Sequence, residues 1–169
     1  GRVWSCGFGG SGALGHGVHQ QEWVPRVIES LAPQRVSFVS TGSHYSFFLT
    51  TEGAFSCGTN YCGQLGQGPG ADYEHDCCLV PTVVVAEPDV VYTRAVSGAF
   101  ATMLQDTTGA VWACGGEPEH GAFEAEIGAE VETPTLLPGL AGGHSTVVGA
   151  ALSGGEHQVA LLLFADGSV

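Results

Sequence analysis

Gly1-Arg-Val-Trp-Ser-Cys-Gly7 is written again as Gly53-Ala-Phe-Ser-Cys-Gly58 and a third time as Gly109-Ala-Val-Trp-Ala-Cys-Gly115, and Gly167-Ser-Val169 opens a fourth copy. The copies start at positions 1, 53, 109 and 167, which are 52, 56 and 58 residues apart. A period in that range marks stacked modules rather than one globular core. The chain accordingly divides into repeats at 1–52, 53–108 and 109–166, with 167–169 beginning the next.

The same parts follow each copy in the same order. A glycine loop comes first, Gly12-Ala-Leu-Gly15-His-Gly17 and then Gly63-Gln-Leu-Gly66-Gln-Gly68. Short Val, Ile or Leu runs around Pro25, Pro81 and Pro134 come next. A β-rich segment follows, Arg35 to Gly42, echoed at 93–98 and 149–155. An apolar run and a turn close the unit, as in Ser46-Phe-Phe-Leu-Thr-Thr-Glu-Gly53 and Val159-Ala-Leu-Leu-Leu-Phe-Ala-Asp-Gly167. Apolar, β-branched runs bounded by glycine and proline read as strands. Asp166-Gly167 suits a tight hairpin, because glycine accepts a positive φ. No long window has helical periodicity with caps. The expectation is an all-β chain of β-propeller blades, each of four antiparallel strands.

The ordered pattern G-x-V-W/F-x-C-G, G-x-L-G-x-G, proline, S-x-G-x-H, apolar strand and turn glycine resembles the repeats of the regulator of chromosome condensation family. The resemblance covers essentially all 169 residues and implies a seven-bladed propeller. Two departures stand out. The third copy has Gly121-Ala-Phe-Glu and Ile127-Gly128 where the glycine loop belongs, and Phe100 replaces the histidine seen at His44 and His157. Three blades do not close a seven-membered ring, and an open β-array leaves unpaired edges. The chain is therefore expected to be a segment of a longer protein, or else to pair its ends with a partner or a second copy.

Charge narrows the function. There are 17 acidic side chains against four arginines, with no lysine, for a formal net charge of −13. Nucleic acids and anionic membranes are held chiefly by Lys and Arg, so direct binding of either is not expected. Glu117, Glu119, Glu124, Glu126, Glu130 and Glu132 crowd into 16 residues where the third repeat leaves its pattern. Pro69-Gly-Ala-Asp72-Tyr73-Glu74-His-Asp76 takes the matching place in the second repeat. Acidic loops of this kind are first read as a solvated insertion that keeps the protein soluble; the functional reading is a contact surface for a basic partner, where long-range attraction speeds encounter. Asp72, Tyr73 and Glu74 with the six glutamates are the candidate partner-binding residues.

Other motifs carry less. Gly7-Phe-Gly9-Gly-Ser-Gly12 spells a dinucleotide fingerprint, but that chemistry needs a following helix to hold the pyrophosphate. Cys6, Cys57 and Cys114 recur in register and are expected to pack in the core, as Trp4 and Trp112 are. Cys62, Cys77 and Cys78 fit no repeat position, and an exposed thiol suits them better than a metal, since adjacent cysteines chelate poorly. Six cysteines in a chain of this length do not make a disulfide scaffold, which points to a reducing intracellular compartment. His44 and His157 are expected to support a turn or inter-blade packing. His16, His19 and Glu22 on a glycine loop are a weak ligand set. No catalytic constellation, metal site or cofactor is expected. The leading reading is a non-catalytic interaction module or scaffold within a larger assembly. The alternative that the resemblance implies is guanine-nucleotide exchange on a small GTPase.

Overall fold

The computed structural model describes residues 1–69, 77–116 and 131–137, together with the backbone of Val147–Leu152 and Ala160–Phe164. The described residues form twelve strands and one short 3-10 turn, Glu29–Leu31. Strands β1 (Trp4–Gly7) and β2 (Glu22–Val27) make a two-stranded sheet. Strands β3 (Val36–Thr41), β4 (Tyr45–Thr50), β5 (Gly53–Thr59) and β6 (Cys77–Val83) make a four-stranded sheet in sequence order. Strands β7 (Tyr92–Ser97), β8 (Ala101–Asp106), β9 (Val111–Gly115) and β10 (Thr135–Leu136) make another. Strands β11 (Val147–Leu152) and β12 (Ala160–Phe164) pair by themselves. Every pairing is antiparallel, so each four-stranded sheet is a plain meander.

Sequence repeat and sheet are out of phase. The repeated phrase Gly-x-Trp/Phe-x-Cys-Gly is the third strand of each complete sheet, so β3–β4 and β5–β6 come from successive repeats, as do β7–β8 and β9–β10. The first strands β3, β7 and β11 are neighbours, β7 touching both others, which is the arrangement of propeller blades about an axis.

The core lies between sheets. Tyr45, Phe47, Leu49 and Leu65 of one blade meet Tyr92, Leu104, Trp112 and Cys114 of the next in one buried cluster. Ile28, Leu31, Phe48 and Cys57 fill the space between β1–β2 and β3–β6. Each strand of β4 and β8 is buried along its whole length, as expected of strands covered on both faces. Trp112 meets Tyr92 edge to face with ring centroids 6.2 Å apart. Its counterpart Trp4 is 56% exposed rather than buried, because among the described residues β1 pairs with β2 alone and no strand on the other side supplies such a ring.

Candidate functional site: the loop end of the sheets

Strand direction places the β3–β4 turn, the β5–β6 connection and the β9–β10 connection at one end of the sheets. The glycine loops occupy this end and latch each sheet to its successor. In the first loop, Gly12, Gly15 and Gly17 have φ of 77°, 75° and 76°; in the second, Gly63, Gly66 and Gly68 have 75°, 66° and 80°. Such backbone admits glycine with little strain. A side chain at Gly15 would meet Pro81 Cδ at 3.0 Å and Cys57 Sγ at 3.4 Å; one at Gly66 would meet Cys114 Sγ at 3.0 Å and Pro134 Cδ at 3.1 Å. Each loop therefore seats on the cysteine and proline of the following sheet.

Polar bonds fix the seat. Ala13 O accepts from Ser46 Oγ at 2.8 Å and from Cys57 Sγ at 3.5 Å. At the equivalent position, Gln64 O accepts from Thr102 Oγ1 at 3.0 Å and Cys114 Sγ at 3.5 Å. Thr102 Oγ1 also lies 3.0 Å from Tyr45 Oη, whose own proton goes to Ala101 O at 2.6 Å. Its single proton serves one acceptor at a time. Register shifts at Ser5/Gly7 and Ser56/Gly58 are bulges at Cys6 and Cys57, a device that re-aims one side chain out of the strand's alternation.

Ser5 and His16 resemble a nucleophile and base but are neither. Ser5 Oγ lies 2.7 Å from Leu14 O and 3.0 Å from His16 Nε2. A carbonyl only accepts, so when both bonds form the hydroxyl donates to Leu14 and His16 Nε2–H donates to the hydroxyl. The next sheet repeats the arrangement with Ser56 Oγ on Leu65 O at 2.8 Å and Gln67 Nε2 on Ser56 Oγ at 2.9 Å. A glutamine performs the same task, so the imidazole is a brace. Burial lowers the His16 pKa, the Arg26 charge lowers it further, and Glu22 opposes both.

The described flanks of the two acidic segments meet. Gly68 N–H donates to Glu132 O at 3.0 Å, joining the chain just before residues 70–76 to the chain just after 117–130. Thr59 pairs with Cys77 at the base of one segment, and Gly115 N–H reaches Val131 O at 2.7 Å at the base of the other. Asp72, Tyr73, Glu74, Glu117, Glu119, Glu124, Glu126 and Glu130 themselves lie outside the described residues. Glu132 is half-buried, and its backbone forms part of the seat for the second glycine loop.

Other sequence expectations change in detail. Cys57 and Cys114 are fully buried, and burial pushes both thiols up, but Cys6 is exposed, with no loop on its sheet among the described residues. Cys62, Cys77 and Cys78 are buried rather than exposed; Cys78 Sγ sits 3.1 Å from Val80 O and 3.7 Å from Gln67 Nε2. The His44 side chain is exposed, and its carbonyl does the structural work by accepting from Thr59 N at 3.0 Å. Phe100 O accepts from Gly116 N at 2.8 Å in the same way, so the departure from histidine costs the turn nothing. His157 and the Asp166-Gly167 turn lie outside the described residues. The fingerprint at 7–12 runs into the first glycine loop and then β2, with no helix to receive a pyrophosphate. Among the described residues there is no group of three or more metal-ligating side chains and no helix long and apolar enough to cross a membrane. Sequence reading missed the latch hydroxyls Ser46 and Thr102. Aligning the third repeat shows their signal, since Val159 stands at that position where the glycine loop is also lost.

The regulator of chromosome condensation (RCC1) repeat model matches residues 1–49. Protein RCC2 of Mus musculus is 32% identical over 122 residues, which is 72% of this chain and 22% of that protein. RCC1 domain-containing protein RUG3, mitochondrial, of Arabidopsis thaliana is 32% identical over 165 residues, 95% of this chain and 36% of that protein. The chain thus spans roughly a fifth to a third of these curated relatives' lengths. The crystal structure of human WBSCR16 superposes with a TM-score of 0.77 over 99% of this chain and 46% of that one, at 20% identity, a likeness of fold. By its repeated strand, its latching glycine loops and these relatives, the chain belongs to the regulator of chromosome condensation (RCC1) repeat family.

Proposed function

We propose that the chain is a non-catalytic protein-interaction module whose loop end receives a basic surface of a protein partner. One observation supports this most directly: the 3.0 Å bond from Gly68 N to Glu132 O, which joins the described flank of one acidic segment to the last glutamate of the other. Nine of the 17 acidic side chains belong to the β5–β6 and β9–β10 connections, three at 72–76 and six at 117–132. No arginine is in these connections: Arg2 and Arg35 precede β1 and β3, while Arg26 and Arg94 lie within strands. Rigid blades carrying variable loops are a common basis for partner recognition. Asp72, Tyr73, Glu74 and the glutamates from Glu117 to Glu132 are the proposed contacts. An intracellular, reducing setting belongs to the same reading, supported by Cys57 and Cys114 serving as thiol donors to Ala13 and Gln64.

The test is native purification of the polypeptide from its own cells, with partners identified by mass spectrometry in the presence and absence of GTP. A partner retained regardless of nucleotide, but bound about tenfold more slowly once Glu117, Glu119, Glu124, Glu126 and Glu130 are changed to Gln, is the expected result. A small GTPase released by GTP would replace this reading with nucleotide exchange. An association rate indifferent to the Gln variant would remove the acidic segments from the interface.

A further inference from the structure

The two seated glycine loops correspond residue for residue, and two of their differences meet at one contact. Each loop opens on a four-residue turn: Gly12 N–H donates to Gly9 O at 3.1 Å in the first, and Gly63 N–H donates to Asn60 O at 3.2 Å in the second. Each ends with a glycine N–H on a carbonyl of the following sheet, Gly17 on Leu79 O at 2.9 Å and Gly68 on Glu132 O at 3.0 Å. Gly10 therefore corresponds to Tyr61, and Leu79 to Glu132. In the first loop the Leu79 side chain lies against the turn, its Cδ2 2.8 Å from where a Cβ on Gly12 would stand. In the second, a Cβ on Gly63 would stand 3.0 Å from Glu132 Cα. A phenol and a carboxylate thus take the places of a hydrogen atom and an aliphatic side chain on the two partners of one contact.

Tyr61 is presented by a braced turn. Asn60 Oδ1 accepts from Leu65 N–H at 2.8 Å, and Gln64 Oε1 accepts from Cys62 N–H at 2.9 Å. Cys62, Gln64 and Leu65 are buried, whereas Tyr61 between Asn60 and Cys62 is 60% exposed. An aromatic held out on rigid backbone loses little freedom when a partner covers it. Glu132 is half-buried and has no ion pair among the described residues, where Arg26 pairs with Glu22. The chain has no lysine, and residues 59–69 and 131–137 contain no arginine, so neither segment supplies a cation of its own.

We propose that Tyr61 and Glu132 together hold an arginine side chain of the partner, an inference that rests on the loop end receiving a basic surface. A guanidinium stacks on an aromatic face while its fork of N–H donors meets a carboxylate, and it sheds water more readily than an ammonium. Tyrosine is also among the residues enriched at protein interfaces.

The probe is a capped hexa-arginine peptide titrated into the full polypeptide at about 50 mM salt, where surface charges are weakly screened, with Kd read by calorimetry. Tyr61→Leu is expected to raise Kd about two- to fivefold and Tyr61→Phe to leave it unchanged, as for a cation over an exposed ring. Glu132→Gln, which keeps the carbonyl that Gly68 uses, should also raise Kd. Combined with Tyr61→Leu it should raise Kd by less than the product of the single effects, because both side chains hold one cation. Capped hexalysine should respond less to Tyr61→Leu. A Kd indifferent to Tyr61→Leu, single effects that multiply, or an equal response from hexalysine overturns the proposal. Hexa-arginine binding that weakens in the Gln variant of Glu117, Glu119, Glu124, Glu126 and Glu130 but not in Tyr61→Leu removes this site and keeps the basic-surface reading. Failure of either peptide to bind the unaltered polypeptide removes both.

Discussion

Asp106 shows how much one carboxylate does at the turn between β8 and β9. Its Oδ1 accepts from Thr108 N at 2.8 Å, Thr108 Oγ1 at 2.6 Å and Ala110 N at 3.0 Å, and its Oδ2 accepts from Trp112 Nε1 at 2.8 Å. Asp106→Ala leaves the buried indole N–H without a partner and is expected to lower unfolding free energy by about 2–4 kcal/mol, measured by urea denaturation. Burial pushes this carboxyl up, but the bonds from Thr108, Trp112 and Ala110 together hold it below its ordinary 3.8. The stabilisation is therefore present above pH 3.8 and lost as pH falls through the folded value, and Asp106→Asn should flatten that acid limb. His16 acts at milder pH. Its folded pKa lies below 6.5, so as pH drops through 6.5 the unfolded chain takes the proton first and stability falls. His16→Gln, copying Gln67, should remove this dependence while keeping the brace, seen as equal urea midpoints at about pH 5 and 8. The turn that follows Asp106 was legible from Thr108-Gly109, which closes the apolar run of its repeat. The bond from Trp112 to Asp106 was not, because no spacing rule links an acid to an indole across a hairpin.

At the scale of the element, the glycine loop is a latch and its glycines are its working parts. Gly66→Val places methyls on a backbone at φ 66° and drives them into Cys114 Sγ and Pro134, both about 3 Å from where a Cβ would stand. The loop must lift from the following sheet. The expected result is a loss of about 1–3 kcal/mol and alkylation of Cys114, which burial otherwise protects. Gly15→Val should do the same to Cys57 and leave Cys114 protected, a contrast that assigns each loop to its own sheet. The strands and their order were readable from apolar runs and glycine punctuation. What each loop touches was not, because the contact joins residues such as Ala13 and Ser46 that are far apart in sequence. The same limit explains Cys6. Its sequence position equals that of Cys57, yet its burial depends on a loop from another sheet, and repeat identity carries no information about neighbours.

Along the chain of the whole molecule charge is uneven: nine of the 17 acids fall in the β5–β6 and β9–β10 connections, while the arginines stand within strands or just before β1 and β3. Net charge and its crowding at 117–132 were plain in the sequence, but the bond from Gly68 to Glu132 was not, because it joins residues 64 positions apart. If the loop end steers a basic partner, the association rate should fall steeply between about 50 and 500 mM salt while dissociation changes little, a contrast that surface plasmon resonance resolves. The offset between repeat and sheet has its own consequence. Because β3–β4 and β5–β6 belong to different repeats, the unit that recurs in the sequence is not a unit that folds. A protease that cuts at the exposed Glu52 turn should yield two fragments that stay together as one particle, each supplying half of a shared sheet. The chain is dovetailed: removing any one repeat opens the sheet on either side of it, so unfolding should spread across joints instead of stopping at them.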